Sequence, residues 1–404
     1  MKLRMLFVLA CSYPVVGVVA QVKIFGTLKN KISGEGIPYT NIRVKNTLTG
    51  TSSNEDGFFE LYVDKKFLTD SILISHLEFD SKTLPLSNLD MAGSNTIELE
   101  PAVMLLDVVS VKAKETYEYF LESIAKTRSR QVYPGSAKFY YRELVKDNNQ
   151  YSKYSDAILT ANFPKDKDKM EIFVDESRVV NLPRDDDIAD ISTPLEVKKL
   201  FGYQYLDLLN RFQGEKKQLY DYSILTHVGE ADKVTYLIKP KKCPDKNIVQ
   251  YYNAWITTQD DLITDIEIKQ DTSCNWQMSL LGFTIKFKSY ALKASFYQSN
   301  ENIVLGQGLV QFRMDISHKK MDISHKKLAQ IIDYQSVFLA VGTHQDQLAE
   351  VEKSKRLKSK SLYKVGSAYS HEFWKEYNIP ILTDNEGKLL AELIEQYGKI
   401  KEKK

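Results

Sequence analysis

Val22-Lys23-Ile24-Phe25-Gly26, Gly36-Ile37-Pro38-Tyr39-Thr40-Asn41-Ile42-Arg43-Val44, Thr49-Gly50-Thr51, Asp56-Gly57-Phe58-Phe59-Glu60-Leu61 and Leu105-Leu106-Asp107-Val108-Val109-Ser110-Val111 set the fold of the first part of this chain. Apolar and polar residues alternate here, which is the period of a half-buried strand. Val22 and Ile24 share a face. So do Ile42 and Val44, with Asn41 and Arg43 opposite, and Phe59, Leu61 and Val63 continue the pattern around Glu60. Asp56-Gly57 reads as a hairpin turn, because glycine tolerates positive φ. Gly34, Gly36 and Pro38 mark another turn. Residues 72–75 and 96–99 supply further strands. Short strands at this spacing, with no helix among them, predict a small β-sandwich over residues 22–113.

These residues resemble the carboxypeptidase-regulatory-like domain of Bacteroidetes proteins. The signature runs through Gly26, residues 36–42, Gly50-Thr51, Asp56-Gly57-x-Phe59-x-Leu61 and Leu73-Ile74-Ser75, and closes on Leu106-Asp107-Val108-Val109. It departs at Glu78-Phe79, where that family usually has Gly-Tyr. The resemblance implies an Ig/transthyretin-like sandwich serving as a folding or interaction module. It implies no carboxypeptidase activity, because the family name comes from an accessory domain and not from a catalytic one. The same domain also precedes TonB-dependent outer-membrane transporters. The residues after 113 are too few for a plug and a barrel of about 22 strands, each about 9–11 residues long.

Residues 1–20 read as a secretory signal: Lys2 and Arg4, then apolar runs, then Val18-Val19-Ala20, with cleavage between Ala20 and Gln21. A lipoprotein signal is the competing reading, because Val8-Leu9-Ala10-Cys11 resembles a lipobox. No later run is apolar for long enough to cross a membrane as a helix. Without Lys2 and Arg4, the 55 basic residues fall to equality with the 53 acidic ones. A neutral chain argues against a nucleic-acid partner. Cleavage before Gln21 would leave Cys243 and Cys274, a disulfide candidate in an exported protein, or two separate thiols. Bridged, they would close a loop of about 31 residues and contribute on the order of 3–4 kcal/mol.

Beyond the sandwich, Tyr117, Phe120, Leu121 and Ile124 form one helical face, so residues 114–134 read as a linker helix. Residues 135–404 then read as long antiparallel strands with two further helices. One spans 195–212 and is announced by Thr193-Pro194-Leu195-Glu196. The other spans 385–398 and is announced by Thr383-Asp384-Asn385-Glu386. Asp260-Asp261 turns the chain between two strands. Phe283, Ile285 and Phe287 alternate with Thr284, Lys286 and Lys288. The expected fold is mainly β: the sandwich, then a curved antiparallel sheet or half-barrel packed with helices. Residues 236–241, 251–258 and 262–268 resemble strands of periplasmic lipoprotein-carrier-like half-barrels. His371-Glu372-Phe373-Trp374 with Tyr377-Asn378 is similar to a closing motif of a Bacteroidetes family that pairs the two regions.

Met314-Asp315-Ile316-Ser317-His318-Lys319-Lys320 recurs at 321–327. His318 and His325 stand at no standard metal-ligand spacing, so a duplication that bulges into a loop or lengthens a strand end is the expectation. Asp185-Asp186-Asp187 with Asp190 lacks the alternating ligands and glycine of a calcium loop. His76, His227 and His344 stand singly. The abundant tyrosines, among them Tyr140, Tyr141, Tyr151, Tyr154, Tyr205, Tyr220, Tyr251 and Tyr252, read as strand packing or as the lining of a ligand groove. No hydrolase elbow, zinc helix, phosphate loop or redox cysteine pair occurs, so no catalytic residue, cofactor or metal is expected. The functional expectation is a non-enzymatic exported envelope protein, in the periplasm or at the outer-membrane periphery. It would bind a hydrophobic ligand or an envelope partner. The alternatives are a structural adaptor without a cavity and an enzyme with an unfamiliar site.

Overall fold

The structure is a computed structural model that describes residues 21–47, 49–106, 113–130, 135–164, 170–182, 197, 204–241, 251–274, 276–280, 282–299, 302–321, 327–341, 349–359, 362–365, 374 and 377–402. Its first seven strands are β1 (Gln21–Asn30), β2 (Asn41–Val44), β3 (Gly50–Ser52), β4 (Phe58–Asp64), β5 (Ser71–His76), β6 (Phe79–Pro85) and β7 (Ser94–Leu99). They form two sheets, β4-β1-β7 and β3-β2-β5-β6. Ile24, Leu28, Ile42, Val44, Phe59, Leu61, Ile72 and Ile74 are fully buried between them, as the alternation requires. Gly26 lets β1 and β7 run side by side: a Cβ there would meet the Asn95 carbonyl oxygen at 2.1 Å.

The turn at Asp56-Gly57 forms with Gly57 at φ +84°, but it is not a hairpin within one sheet. Asn54 Oδ1 accepts from the backbone N–H groups of Asp56 and Phe58 at 3.0 and 2.9 Å. After this corner β3 pairs with β2 and β4 pairs with β1, so the chain crosses between the two layers.

The large sheet contains β8 (Met104–Leu106), β9 (Gly135–Asp147), β10 (Gln150–Phe163), β11 (Glu171–Asn181), β12 (Tyr220–His227), β13 (Glu230–Pro240), β14 (Tyr252–Gln259), β15 (Leu262–Gln270), β16 (Trp276–Leu280), β17 (Phe283–Ser299), β18 (Asn302–Met321) and β19 (Lys327–Ala340). Its order is β11-β10-β9-β19-β18-β17-β15-β14-β13-β12-β8, with β16 beside the first half of β17. Every pairing is antiparallel. The protein is therefore mainly β, with two small N-terminal sheets, a large antiparallel sheet and few helices. Asp260 and Asp261, at φ +52° and +60°, make the two-residue turn between β14 and β15. One boundary differs from expectation. Leu106, read as the tail of the sandwich, lies in β8 and pairs with Leu225 of β12. A three-residue strand carries too little pattern to reveal which sheet it joins. Asp107 to Val109 lie outside the described residues.

Three helices complete the described fold: α1 (Ala113–Arg130), α2 (Gln204–Leu208) and α3 (Asp384–Glu402). The expected linker helix is α1, and Phe120 and Ile124 bury its apolar face against the large sheet. Of the expected helix over 195–212, the structure describes Val197 and then α2, which tightens into a 3-10 turn over Leu209–Phe212. Its Thr193 cap lies outside the described residues. The cap of α3 forms as read. Glu386 N–H donates to Thr383 Oγ1 at 3.1 Å, and Thr383 N–H donates to Glu386 Oε2 at 2.9 Å. The duplicated heptad falls at the β18–β19 hairpin end. The ladder runs regularly to Ser317 and shifts register before Met321 pairs with Lys327. The first copy thus lies at the end of β18, and residues 322–326 of the second lie outside the described residues.

Candidate functional site

The strands give the large sheet two chemically different faces. On one face, residues such as Phe139, Tyr141, Leu159, Ile172, Ile238, Ile256, Ile268, Leu292, Val310 and Phe338 form one continuous apolar core. Across its middle lies α1. Phe120 sits 5.8 Å from the Tyr236 ring and 6.1 Å from the Tyr222 ring. Thr127 Oγ1 accepts from Ile263 N–H at 2.9 Å, and Lys126 Nζ reaches the Asp260 carbonyl at 2.8 Å. Leu206, Leu209 and Phe212 cover the neighbouring part, with Tyr205 against Phe338. Helix and aromatic side chains fill this part of the face.

Among the described residues, the helical cover does not reach the end built from β16, β17 and β18. The ladder there stacks apolar rungs: Trp276 opposite Phe287 opposite Met314, and Met278 opposite Ile285 opposite Ile316. Met314 and Ile316 are buried, but Trp276, Phe283, Ile285, Phe287 and Tyr290 are only half-buried, and Met278 is 41% exposed. Trp276 packs edge-on to Phe287 at 4.9 Å. From Phe283 to Tyr290 this strip extends roughly 23 Å along the strand.

The opposite face is polar and is buried by the sandwich. Tyr297 OH donates to Asn41 Oδ1 at 2.6 Å, and the Arg43 guanidinium lies 3.7 Å from the Tyr297 ring centre. Gln307 Nε2 donates to Ser52 Oγ at 3.2 Å, and Gln335 Nε2 donates to Tyr39 OH at 2.6 Å. Asn41 and Arg43 are buried in this seam. Asp265 accepts from Ser295 Oγ at 2.7 Å, and burial pushes its carboxyl pKa up. Burial, with Lys293 and Lys269 nearby, pushes His76 down to about 3. A cavity of about 30 Å³ between these groups has room for a water molecule and not for a ligand. A polar depression of about 450 Å³ lies beside the sandwich corner, lined by Glu55, Lys146, Gln311, Arg313, Asp333 and Gln335.

The closing motif acts as a clasp on the same side. Trp374 stacks edge-on to Tyr140 at 6.3 Å, with the Arg178 guanidinium 4.8 Å from its ring. Asn378 Oδ1 accepts from Tyr62 N–H, and its Nδ2 donates to the Tyr62 carbonyl at 3.0 Å. The side-chain amide thus pairs with edge strand β4 as a further strand would. Tyr377 accepts from Lys138 Nζ at 3.1 Å. His371, Glu372 and Phe373 lie outside the described residues.

Other titratable groups are enclosed. Glu143 sits within the apolar core, 1% exposed, and accepts from Tyr141 OH at 2.6 Å and Tyr334 OH at 2.9 Å. Burial raises its pKa. Asp156, fully buried, is held by Arg178 Nε at 2.8 Å and Tyr154 OH at 2.7 Å. Arg142 faces Glu386 at 3.8 Å.

The residues singled out in the sequence are dispersed. Cys274 is disulfide-bonded and buried. Its expected partner Cys243 lies outside the described residues, as do Cys11, Ala20, His325, His344 and Asp185 to Asp187 with Asp190. Gln21 begins β1, opposite Asp64. His318 packs against Phe283, ring centres 4.5 Å apart. His227 contacts Thr235 Oγ1 at 2.9 Å, and burial lowers its pKa. Tyr140, Tyr141, Tyr154, Tyr205, Tyr220, Tyr251 and Tyr252 are buried packing, and Tyr151 is half-buried. Among the described residues, no group of three or more His, Cys, Asp or Glu side chains could hold a metal ion. The half-buried end of the apolar face was missed by sequence reading. Its signal was present in Phe283, Ile285 and Phe287, but where the helical cover stops is not written locally.

No protein-family description matches the chain, and no curated protein matches it. Two solved structures share a distant likeness. One is a structure of lipid–protein interactions in lipovitellin, with a TM-score of 0.24 and 6% identity, covering 55% of this chain and 26% of that one. The other is a LolA-superfamily protein of Nitrosomonas europaea, with a TM-score of 0.20 and 8% identity, covering 58% of this chain and 95% of that one. The chain thus spans about a quarter of the lipovitellin chain. No family assignment follows from either likeness, and the similarity of residues 22–111 to the regulatory-like domain rests on the residues quoted for it.

Proposed function

We propose that this is a non-enzymatic exported protein of the cell envelope that holds a hydrophobic ligand on the apolar face of its large sheet. The ligand lies against Trp276, Phe283, Ile285 and Phe287. The observation that carries this is the apolar strip that continues beyond α1 and stays half-buried. A contiguous apolar strip left partly open to solvent is a candidate binding surface. An elongated strip of this length suits an acyl chain better than a compact molecule. Export is supported by the disulfide at Cys274, since disulfides persist in oxidising compartments. The non-enzymatic reading is supported by the enclosure of Glu143 and Asp156, which leaves neither carboxylate facing a cleft.

The test is a titration with a fluorescent fatty-acid analogue, following energy transfer from tryptophan. Saturable binding at one site is expected, and Phe287→Asp should weaken it at least tenfold. Absence of saturable binding would refute the proposal. A second reading, a structural adaptor, is favoured by the filling of the central face by Phe120, Tyr205 and Phe212 and by the sandwich docked behind it. It predicts that a second protein is retained instead of a small molecule.

A further inference from the structure

The polar depression beside the sandwich corner lies on the face of the large sheet opposite the apolar strip. Its Gln311 and Arg313 alternate along β18 with Phe312 and Met314 of the apolar core. By register, Tyr151 of β10, Lys146 of β9, Asp333 of β19, Arg313 of β18 and Ser289 of β17 form one rung across adjacent strands, roughly 19 Å from end to end at the usual strand spacing. Gln335 and Gln311 face one another in the next rung. The sandwich contributes Glu55, which accepts from Tyr39 OH at 2.7 Å. Arg313 donates to Asp333 Oδ2 at 3.2 Å and to Asn149 Oδ1, in the β9–β10 turn, at 3.3 Å. Lys146 Nζ lies 4.5 Å from the Tyr151 ring centre. The Gln311 amide and the Ser289 hydroxyl have no hydrogen-bond partner among the described residues.

We propose that this depression binds a neutral oligosaccharide. Lys146 and Arg313 balance Glu55 and Asp333, so the lining has no net charge with which to draw a polyanion. An extended peptide joins a sheet at a free edge. Here the strands beneath are paired on both sides, and only side chains meet the ligand. An apolar chain would strip water from charges and amides and return no hydrogen bond. What remains is a ligand whose groups both donate and accept, as hydroxyls do, to match the Gln311 and Gln335 amides, the Ser289 hydroxyl and the ionised groups beside them. Several of these are already fixed: Arg313 by Asp333 and Asn149, Glu55 by Tyr39, and Gln335 by its 2.6 Å bond to Tyr39 OH. Such preorganisation lowers the ordering cost of binding. The volume of about 450 Å³ falls within the range of small-ligand sites, about 300–1,000 Å³. The site is independent of the hydrophobic-ligand reading, because the sheet separates the two faces.

The experiment screens the full chain against immobilised short neutral oligosaccharides of glucose, mannose, galactose and N-acetylglucosamine, with heparin as the anionic control. The tightest binder is then titrated by calorimetry. Saturable binding is expected. Gln311→Ala should weaken it about tenfold, and Ser289→Trp, which sets a ring on the floor of the depression, should abolish it. Circular dichroism, thermal melting and binding of the fatty-acid probe should be the same in both variants. Retention of no neutral oligosaccharide overturns the proposal. So does unchanged sugar affinity in Ser289→Trp, or tighter binding of heparin than of every neutral sugar.

Discussion

Phe120→Ala probes how the apolar face is closed. Phe120 is fully buried and sits between the Tyr222 and Tyr236 rings. Truncation removes the burial of one ring, leaves a cavity and loses the ring–ring contacts. Such substitutions cost about 3–5 kcal/mol. The polar anchors of α1 remain: Thr127 on Ile263, Lys126 on the Asp260 turn, and Ser123 Oγ within 3.2 Å of Tyr236 OH. The helix therefore stays in place above an unfilled space, and the loss is about 3–4 kcal/mol. Trp255, Trp276 and Trp374 all lie outside the sandwich, so tryptophan fluorescence in a urea titration reports on the large sheet. A loss below about 1 kcal/mol would refute the reasoning. It would mean that α1 is a tether and not part of the core.

Three further outcomes follow from the seam and the caps. His76 has a depressed pKa in the fold, so the unfolded chain binds a proton more readily below its usual 6.5. Stability at this residue is full above pH 6.5 and falls with pH down to about 3. The loss between pH 7.5 and 5 is about 1–2 kcal/mol, allowing for partial exposure, and His76→Gln should flatten that slope in urea titrations. Asn378→Ala removes two hydrogen bonds to Tyr62 and should cost about 1–3 kcal/mol. Hydrogen exchange at the Tyr62 amide should quicken, and an unchanged rate would show that the clasp is incidental. Thr383→Ala breaks the capping box of α3 and should cost about 1 kcal/mol in thermal or urea unfolding, with Thr383→Ser restoring most of it.

The features that sequence revealed are those written within a few residues. Alternation at Ile24, Ile42, Phe59 and Leu61 gave the sandwich core. Thr383 with Glu386 gave a cap, and Asp260-Asp261 gave a turn. Features that depend on distant partners were not legible. Asn41 and Arg43 alternate as a solvent face should, yet they are buried because a second sheet presents Tyr297 and Gln307 to them. Asp56-Gly57 announces a reversal, but neither residue encodes which sheet each flanking strand will join. Asn378 belongs to a motif legible in sequence, but its pairing with Tyr62 depends on the free edge that β4 supplies. At the candidate site, the apolar character of Phe283, Ile285 and Phe287 was legible. Their incomplete cover was not, because it depends on where α1 and the Leu206–Phe212 turn come to rest.

Native and denaturing mass spectrometry of the protein purified from its own cells tests the hydrophobic-ligand account most directly. The account predicts one lipid-sized adduct per chain under native conditions, lost on denaturation and diminished in Phe287→Asp. A native spectrum with no small adduct and a second protein bound instead would contradict it and favour the adaptor.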